Sequence, residues 1–359
     1  SHSMNCAFAG LLTVSSHVKN VSLVCIVFAA KIPFITKDHI MPIHYAGLPR
    51  RTFLQTSLGT AASLLTFRSA FADEASGPTA ASNPTEHVAL LSDPHIAADI
   101  TKSARGSFMA SNLLRVVADI LAQPTKPSFA LINGDCAFNV GLPEDYATLT
   151  SLVATFPTAH IPLHMTMGNH DDRIAFMKQF PQSQSAVESQ NHAAAVAVEG
   201  RHVSLIETKY ANWFLIDTLQ KVNQVTGEMG PQQLEWLRQA LTTNSDKPAI
   251  VVGHHNPQFN VPEDGRVTGL QDSSALFELL ESQPHVKAYV YGHTHSWSTT
   301  RRDSGLHLIN LPPIGYVFAE ASPLGWVDAE LSATGMQLTL HSLNTDHAEH
   351  LKSRNLTWS

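Results

Sequence analysis

Five apolar runs in this chain end abruptly in aspartate, asparagine or histidine, and this pattern limits the folds that the chain can adopt. The runs read LLSDPH (90–95), LINGDC (131–136), MTMGNHDD (165–172), IVVGHH (250–255) and YVYGHTH (289–295). Short apolar runs that stop in polar residues are typical of buried strands in α/β proteins. Ligands bind beyond the carboxyl ends of such strands. The pattern therefore predicts five strand ends that converge on one polar site.

The residues at these five ends form one chemically consistent set of carboxylates, imidazoles and an amide. They are Asp93, His95, Asp135, Asn169, His170, His254, His293 and His295. Such donors suit Fe, Mn, Zn and similar metal ions. A glycine directly precedes four of the five groups, which lets the backbone turn at a crowded centre. Each motif alone is weak evidence, but their combination predicts a metal site.

Strand and helix signals alternate through the rest of the chain, which predicts an α/β fold. Helical spacing of apolar residues predicts helices at 108–121, 143–153 and 231–241. Strands are predicted at 87–92, 128–133, 161–167, 203–207, 213–216, 249–253, 286–291, 306–311, 316–320, 326–330 and 336–340. Residues 181–201 are predicted to be an insertion or lid, because they are rich in Gln, Ser, Ala and His.

The order of these motifs resembles the calcineurin-like metallophosphoesterase superfamily, whose pattern is D-x-H, G-D, G-N-H-[DE], a later H, and G-H-x-H. The match runs from Asp93 to His295. The resemblance implies a four-layer α/β/β/α sandwich of two mixed sheets. It also implies that one metal is held by Asp93, His95, Asp135 and His295, and a second by Asp135, Asn169, His254 and His293. Asp135 would then bridge the two ions, and His170 would be the catalytic histidine near the leaving-group oxygen.

Several positions around this core stay open at the level of sequence. Ungapped alignment selects His254 as the middle ligand, whereas an H-x-P rule would select His255, which otherwise faces the substrate or supports a ligand. Asn169 and His170 are also expected to contact substrate. Arg173 could meet the substrate or merely pair with an acid. Asp171 or Asp172 is expected to orient His170.

Departures from the superfamily pattern indicate which of its subfamilies this chain resembles. Purple acid phosphatases carry a metal-binding tyrosine where this chain has Phe138, and protein Ser/Thr phosphatases carry a DRG string that is missing here. The string Gly168–Arg173, GNHDDR, is similar to the GNHDxR of class III cyclic nucleotide phosphodiesterases and related glycerophosphodiesterases. A second string supports the same group: LIDT at 215–218, followed by two glycines and QLEWL at 233–237.

The chemistry implied is hydrolysis of a small phosphoester by two divalent or trivalent metal ions, with Mn or an Fe/Zn pair favoured among Fe, Mn and Zn. A hydroxide that bridges the metals would attack phosphorus, with Asp135 and His170 as the catalytic residues. Phosphodiesters of the cyclic nucleotide or glycerophosphodiester type are the expected substrates. A phosphomonoesterase or nucleotidase would use the same metal core. An exported metal-binding module without catalysis is the alternative from another class.

The N-terminal part of the sequence has the features of an export signal. Residues 1–40 are expected to comprise a cloning scar, Ser1–Ser3, and an upstream extension. Residues 41–72 resemble a twin-arginine signal peptide, with Arg50-Arg51, a mild apolar stretch and a small-x-small site ending at Ala72. Residues 73–86 are expected to be a flexible leader, 87–345 the catalytic domain and 346–359 a C-terminal tail. We therefore expect the twin-arginine machinery to export the protein to the periplasm.

Composition excludes several classes of partner. Residues 1–72 carry six of the 23 basic residues and one of the 30 acidic residues, so residues 73–359 have a net charge of −12. Such a surface does not attract a nucleic-acid polymer. The apolar run at 21–30 is shorter than the roughly 20 residues of a membrane span. Cys136 is the one cysteine after residue 72, which excludes an intramolecular disulfide there. The sequence leaves the oligomeric state open and allows an oligomer.

Overall fold

The structure is a computed structural model that describes residues 85–181 and 198–358, all of which fall within one unit, Pro78–Ser359. The strands in the first half are β1 (Glu86–Ser92), β2 (Ser103–Ala104), β3 (Ser107–Phe108), β4 (Phe129–Asn133), β5 (Leu163–Thr166), β6 (Ser204–Glu207) and β7 (Asn212–Leu215). Those in the second half are β8 (Ala249–Val252), β9 (Val286–Tyr291), β10 (Ser298–Arg301), β11 (His307–Asn310), β12 (Gly325–Ser332), β13 (Gly335–Ser342) and β14 (Ser353–Thr357). The helices are α1 (Met109–Ala122), α2 (Pro143–Leu152), α3 (Thr155–Thr158), α4 (Arg173–Gln179), α5 (Pro231–Thr243) and α6 (Ser273–Glu281).

Two six-stranded mixed sheets form the centre of the domain. The first has the order β14-β13-β12-β1-β4-β5, in which β1, β4 and β5 run parallel. The second has the order β10-β11-β9-β8-β7-β6, in which β7, β8, β9 and β11 run parallel. A separate two-stranded hairpin joins β2 and β3. Parallel strands place their carboxyl ends at one edge of each sheet, where ligands bind.

Alternating side chains of the central strands explain the layering. In β1, Ala89 and Leu91 pack with α1 and its neighbours, whereas Val88 and Leu90 pack against residues of the second sheet. A third apolar cluster lies between the second sheet and α5 and α6. Because successive strand residues point to opposite faces, strands with both faces apolar must be covered on both sides. The result is the α/β/β/α sandwich that the family resemblance implied.

Most predicted elements form within one to three residues of their expected bounds, but several predictions were wrong. Residues 316–320 form an irregular loop instead of a strand, with bends at 318–319 and a turn that begins at 320. The expected tail at 346–359 contains β14, which pairs with β13, so the folded domain continues beyond residue 345. The predicted scar, signal peptide and nearly all of the leader lie outside the described residues, as do positions 182–197 of the expected insertion. Among the described residues, no helix combines the length and apolar character that a membrane crossing requires.

The packing of α1 generates a test with adjacent leucines. Leu113 is fully buried against the first sheet, whereas Leu114 is 50% exposed on the same helix. We expect Leu113→Ala to lower the free energy of unfolding by about 2–5 kcal/mol because it leaves a cavity. Leu114→Ala should change it by less than about 0.5 kcal/mol. Urea denaturation followed by circular dichroism measures both, and equal losses would show that α1 packs through a different face.

Candidate metal centre

The candidate ligands follow the ends of five parallel strands. Asp93 and His95 come after β1, Asp135 after β4, and Asn169 after β5; His254 follows β8, and His293 and His295 follow β9. The two sheets therefore contribute from both sides. This is the convergence of strand ends that the sequence predicted.

The backbone at the site is left-handed at five non-glycine residues. The φ values are 51° at Asp93, 48° at His95, 46° at Asp135, 68° at His293 and 52° at His295. This conformation costs an L-residue roughly 1–2 kcal/mol. Such outliers cluster at functional sites, where the surrounding structure holds them. All five residues held in this conformation are candidate metal ligands.

The structure brings the ligands into two overlapping clusters. Asp93, His95, Asp135 and His295 offer one ligand atom each, all within 4.8 Å of one another. Asp135, His254 and His293 form a second cluster within the same limit. Asp135 belongs to both. A carboxylate that belongs to two donor sets is placed where it could contact two neighbouring metal ions.

Backbone carbonyl groups orient three of the imidazoles. His254 Nδ1 donates to Asn133 O at 3.0 Å, and His295 Nδ1 donates to Tyr316 O at 2.6 Å. His293 is engaged through its other nitrogen, since Nε2 donates to Thr268 O at 2.7 Å. Each bond fixes the tautomer and leaves the opposite nitrogen as the one that can bind a metal.

The two carboxylates make the centre strongly electronegative. Burial raises the pKa of Asp93, but His254 and His295 outweigh burial and lower that pKa to about 2. Burial likewise opposes ionisation of Asp135, yet His254 keeps its pKa well below the usual value. In turn, burial lowers the pKa of His254, but Asp135 and Asp93 raise it to about 10. The two carboxylates therefore stay ionised and attract positive charge, and a metal ion that binds His254 would displace the proton from its Nε2.

Three buried atoms in or beside the two clusters have no hydrogen-bond partner within the described part of the chain. They are Oδ1 of Asn169, Nε2 of His254 and Nε2 of His255. The first two belong to candidate ligands, and His254 Nε2 lies 3.3 Å from Asp135 Oδ2. Buried polar atoms nearly always have a hydrogen-bond partner, and a bound ion can take the place of one. Together with the donor chemistry, the atoms of Asn169 and His254 fit a pair of metal ions.

His170 lies at the rim of the ligand clusters. Its backbone N–H donates to Asp135 Oδ1 at 2.9 Å, and its Nδ1 donates to Asn139 O at 2.8 Å. Its ring meets the ring of His95 edge-on at 5.3 Å. Because Nδ1 is engaged, Nε2 is the nitrogen that can act on a substrate. The carbonyl of Asn139 thus orients His170, which the sequence did not predict.

The two aspartates that were expected to orient His170 have other roles. Asp171 is buried and accepts hydrogen bonds from the backbone N–H groups of Cys136, Ala137 and Gly168, at 3.1, 2.9 and 2.8 Å. It therefore joins the loop after β4 to the loop after β5. Asp172 caps α4 by accepting from the N–H of Ala175 at 2.9 Å. The expectation was wrong for both residues, because neither carboxylate contacts the His170 ring.

Arg173 forms an ion pair away from the ligands. Its Nε donates to Asp217 Oδ2 at 2.7 Å, and an Nη donates to Oδ1 at 3.0 Å. The same group also donates to the carbonyl of Leu219. The backbone N–H of Asn223, further along this loop, donates to Asn169 O at 2.6 Å. Arg173 therefore anchors a loop that reaches a candidate ligand, and this pairing replaces the predicted substrate contact.

The structure separates the two histidines between which the sequence could not choose. His254 belongs to the second cluster and His255 belongs to neither. His255 is fully buried, bonds Thr218 Oγ1 through Nδ1 at 2.7 Å, and packs 4.7 Å from the ring of His293. Burial is inconsistent with the predicted contact between His255 and substrate. The geometry favours the other alternative, in which His255 packs behind His293 and supports that ligand.

A cleft of about 410 Å³ opens above the two clusters, within the range of roughly 300–1,000 Å³ that is usual for small-ligand sites. The lining residues include Asp135, Asn169, His170, His293 and His295. They also include residues that sequence reasoning missed, namely Asn223, Val225, Asn256, Thr268, Thr294, Tyr316 and Phe318. These residues come from loops without a metal-ligand spacing, so no motif marks them.

The segment of sequence that contains the candidate ligands also assigns the protein family. The model of the calcineurin-like phosphoesterase family matches residues 86–297, more than half of the chain. The chain belongs to the calcineurin-like phosphoesterase family. All the candidate ligands lie within the matched segment.

Two relatives and one solved structure illustrate the similarity to this family. The chain is 24% identical over 245 residues to the 3′,5′-cyclic adenosine monophosphate phosphodiesterase CpdA of Pseudomonas aeruginosa, covering 68% of this chain and 82% of the relative. It is 24% identical over 190 residues to the glycerophosphodiester phosphodiesterase GpdQ of Enterobacter lignolyticus, covering 52% and 62%. A dimetal phosphatase from Danio rerio shares the fold, with a TM-score of 0.57, 14% identity, and 76% and 99% coverage.

Adjacent histidines give a direct test of the ligand assignment. We expect His254→Ala to lose one metal ion per chain, because His254 shares the second cluster with Asp135. His255→Ala should keep the full metal content, because its ring lies outside both clusters. Plasma mass spectrometry of the two purified variants measures the metal content. Loss of metal from the His255 variant alone would reverse the assignment.

Proposed function

We propose that this phosphoesterase hydrolyses phosphodiesters of the cyclic nucleotide or glycerophosphodiester type with a dinuclear metal centre. The observation that carries the proposal is the pair of ligand clusters that share Asp135 beneath an open cleft. Asp93, His95, Asp135 and His295 would hold one ion, and Asp135, Asn169, His254 and His293 the other. Mn or an Fe/Zn pair suits this mixture of carboxylate, amide and imidazole donors.

The protein residues around the centre would have separate roles in hydrolysis. When bound, two metal ions supply Lewis-acid polarisation of the phosphoryl group and acidification of water. A water oxygen forms the new bond to phosphorus, and the bond to the leaving alcohol breaks. In its imidazolium form, His170 would give its Nε2 proton to the leaving oxygen and become neutral, while its Nδ1–H stays bonded to Asn139 O. The proton that the attacking water loses would pass to solvent. Asp135 links the ligand loops and orients the backbone of His170.

The charge of the cleft supports a diester over a monoester. Among the described residues that line the cleft there is no Lys or Arg, and Arg105 reaches only its wall, over the ring of Phe318. The histidines of the lining other than His170 are candidate metal ligands. A monoester carries up to two negative charges at neutral pH and is commonly bound by basic side chains. A diester carries one, which the metal ions can neutralise. The names of the two relatives, a cyclic nucleotide and a glycerophosphodiester phosphodiesterase, support the same choice.

The substrate class can be tested with two aryl phosphates. With Mn²⁺, we expect the chain to hydrolyse bis-p-nitrophenyl phosphate with a higher kcat/KM than p-nitrophenyl phosphate, and chelator should abolish both activities. Release of p-nitrophenol measures the rates, and Asp135→Asn serves as the inactive control. A preference for the monoester would identify a phosphatase. Bound metal without turnover of either compound would favour the non-catalytic module.

The role of His170 predicts a dependence on the leaving group. His170→Ala should lower kcat by about 10²–10⁴-fold for a diester with an alkyl leaving group, since that oxygen needs a proton as the bond breaks. The loss should be smaller for bis-p-nitrophenyl phosphate, whose leaving group is stable as an anion. Metal content should stay unchanged, because His170 lies outside both clusters. Equal losses on both substrates would argue against a general acid.

We also propose that the twin-arginine route exports this enzyme to the periplasm. The support is the order of Arg50-Arg51, the apolar stretch from Leu58 to Phe67, and Ala70-Phe71-Ala72. Replacement of both arginines by lysine should retain the protein in the cytoplasm of a bacterial host. Cell fractionation with immunoblotting measures this, and unchanged export of the double variant would contradict the proposal.

A further inference from the structure

Two apolar side chains on the wall of the cleft are exposed. Phe318 has 56% of its surface exposed and Val225 has 42%, and both line the cleft above the ligand clusters. Single exposed apolar residues are common on protein surfaces. These two, however, lie within the cavity that a substrate would enter. They give the cleft apolar contact area next to its polar floor.

Hydrogen bonds fix Phe318 in relation to the metal ligands. Its ring stacks on the ring of His295, with centroids 4.3 Å apart and an interplanar angle of 22°. Just before it, the N–H of Gly315 donates to Asp93 O at 2.9 Å, and Tyr316 O accepts from His295 Nδ1 at 2.6 Å. The segment that carries Phe318 is thus bonded to two ligand-bearing residues. The ring occupies a defined position beside the reacting centre.

A tight hairpin brings a positive charge to the same place. Arg105 and Gly106 connect β2 to β3 with φ values of 48° and 78°, and positive φ at both central residues is typical of a type I′ turn. The Arg105 guanidinium lies 4.8 Å from the centroid of the Phe318 ring and 6.0 Å from that of Tyr316. We call Arg105, Tyr316 and Phe318 the aromatic platform.

The alcohol groups that a phosphodiester can carry would make different contacts with the aromatic platform. An uncharged planar ring can stack on an aromatic side chain or on a guanidinium plane. An ammonium head group also binds aromatic rings, but here it would meet the like charge of Arg105. A glycerol group offers no planar surface to stack. The combination therefore favours a planar, uncharged substituent.

We propose that the aromatic platform selects phosphodiesters that carry a nucleobase or a similar uncharged aromatic ring, over diesters of glycerol with a cationic head group. This inference rests on the proposed function, because it names the substrate class of the same site. It assigns the exposed part of the Phe318 ring, together with the Arg105 guanidinium that lies over it, as the stacking surface. Arg105 is also the residue that excludes cationic head groups.

A matched pair of ligands isolates the contribution of the ring. Adenosine 5′-monophosphate and ribose 5-phosphate differ only in the base, and isothermal titration calorimetry on the Mn²⁺-loaded full chain measures both affinities. Phosphate release is followed in the same samples to detect turnover. We expect the wild type to bind the nucleotide at least about 10-fold more tightly, from stacking of one base. Phe318→Leu, which keeps apolar bulk but removes the ring, should reduce this ratio towards one, and Phe318→Tyr should keep it.

Phe259 provides the control for the Phe318 variants. It is 42% exposed and lies 4.5 Å from the Arg302 guanidinium, but it is not among the described residues that line the cleft. Phe259→Leu should leave both affinities unchanged. An equal affinity of the wild type for the two ligands would overturn the proposal. The proposal would also be overturned if Phe318→Leu lost the same affinity for both ligands while its metal content stayed unchanged.

Turnover separates failure of the platform from failure of the proposed function. We expect the wild type to hydrolyse 3′,5′-cyclic AMP with a higher kcat/KM than glycerophosphocholine, and Arg105→Gln should narrow the difference by raising the rate with glycerophosphocholine. No hydrolysis of either diester, together with base-dependent binding through Phe318, would reject the proposed function and keep the platform. Hydrolysis of both diesters at ratios that neither Phe318→Leu nor Arg105→Gln changes would keep the function and reject the platform.

Discussion

Two ionised carboxylates, Asp93 and Asp135, are buried where the strand ends of two sheets meet. The rest of the centre must neutralise their negative charge. Both are almost inaccessible to solvent, and His254 lies close to both. Like charges at short range are unfavourable unless cations or protonated groups lie between them. The left-handed backbone of Asp93 and Asp135, together with the Asp171 carboxylate that bonds three backbone N–H groups, holds this arrangement against its electrostatic cost.

The sequence predicts the central strands well because both of their faces are buried. β1, β4 and β8 are formed by apolar runs that stop shortly before a polar candidate ligand, so the ends of these strands can be predicted from the sequence. Several of the missed elements lack such a signal, although α6 was missed despite its buried Leu276, Phe277 and Leu280. β10 contains no apolar residue, and β14 buries only Leu356, so backbone pairing with a neighbouring strand determines both. The seven-residue helix α4 buries a single side chain, which leaves no helical period to detect.

The candidate ligands could be predicted, whereas their supporting contacts could not. Ligand identity follows from local strings such as G-N-H, in which chemistry and spacing are both visible. The partners of Arg173, His255 and His170 come from other segments: Asp217 is 44 residues away, Thr218 is 37 and Asn139 is 31. Only the folded chain pairs them. The same holds for Phe318, which joins the cleft through a loop that was expected to be a strand.

The positions of bound metal ions would show whether the centre is dinuclear. Anomalous diffraction from crystals of the protein grown with Mn²⁺ would locate the ions without reference to any substrate. We expect two anomalous peaks about 3.5–4 Å apart, both bound by Asp135, with His95 and His295 at one and His254 and His293 at the other. A single peak, or peaks that do not share Asp135, would contradict a dinuclear centre built from these strand ends.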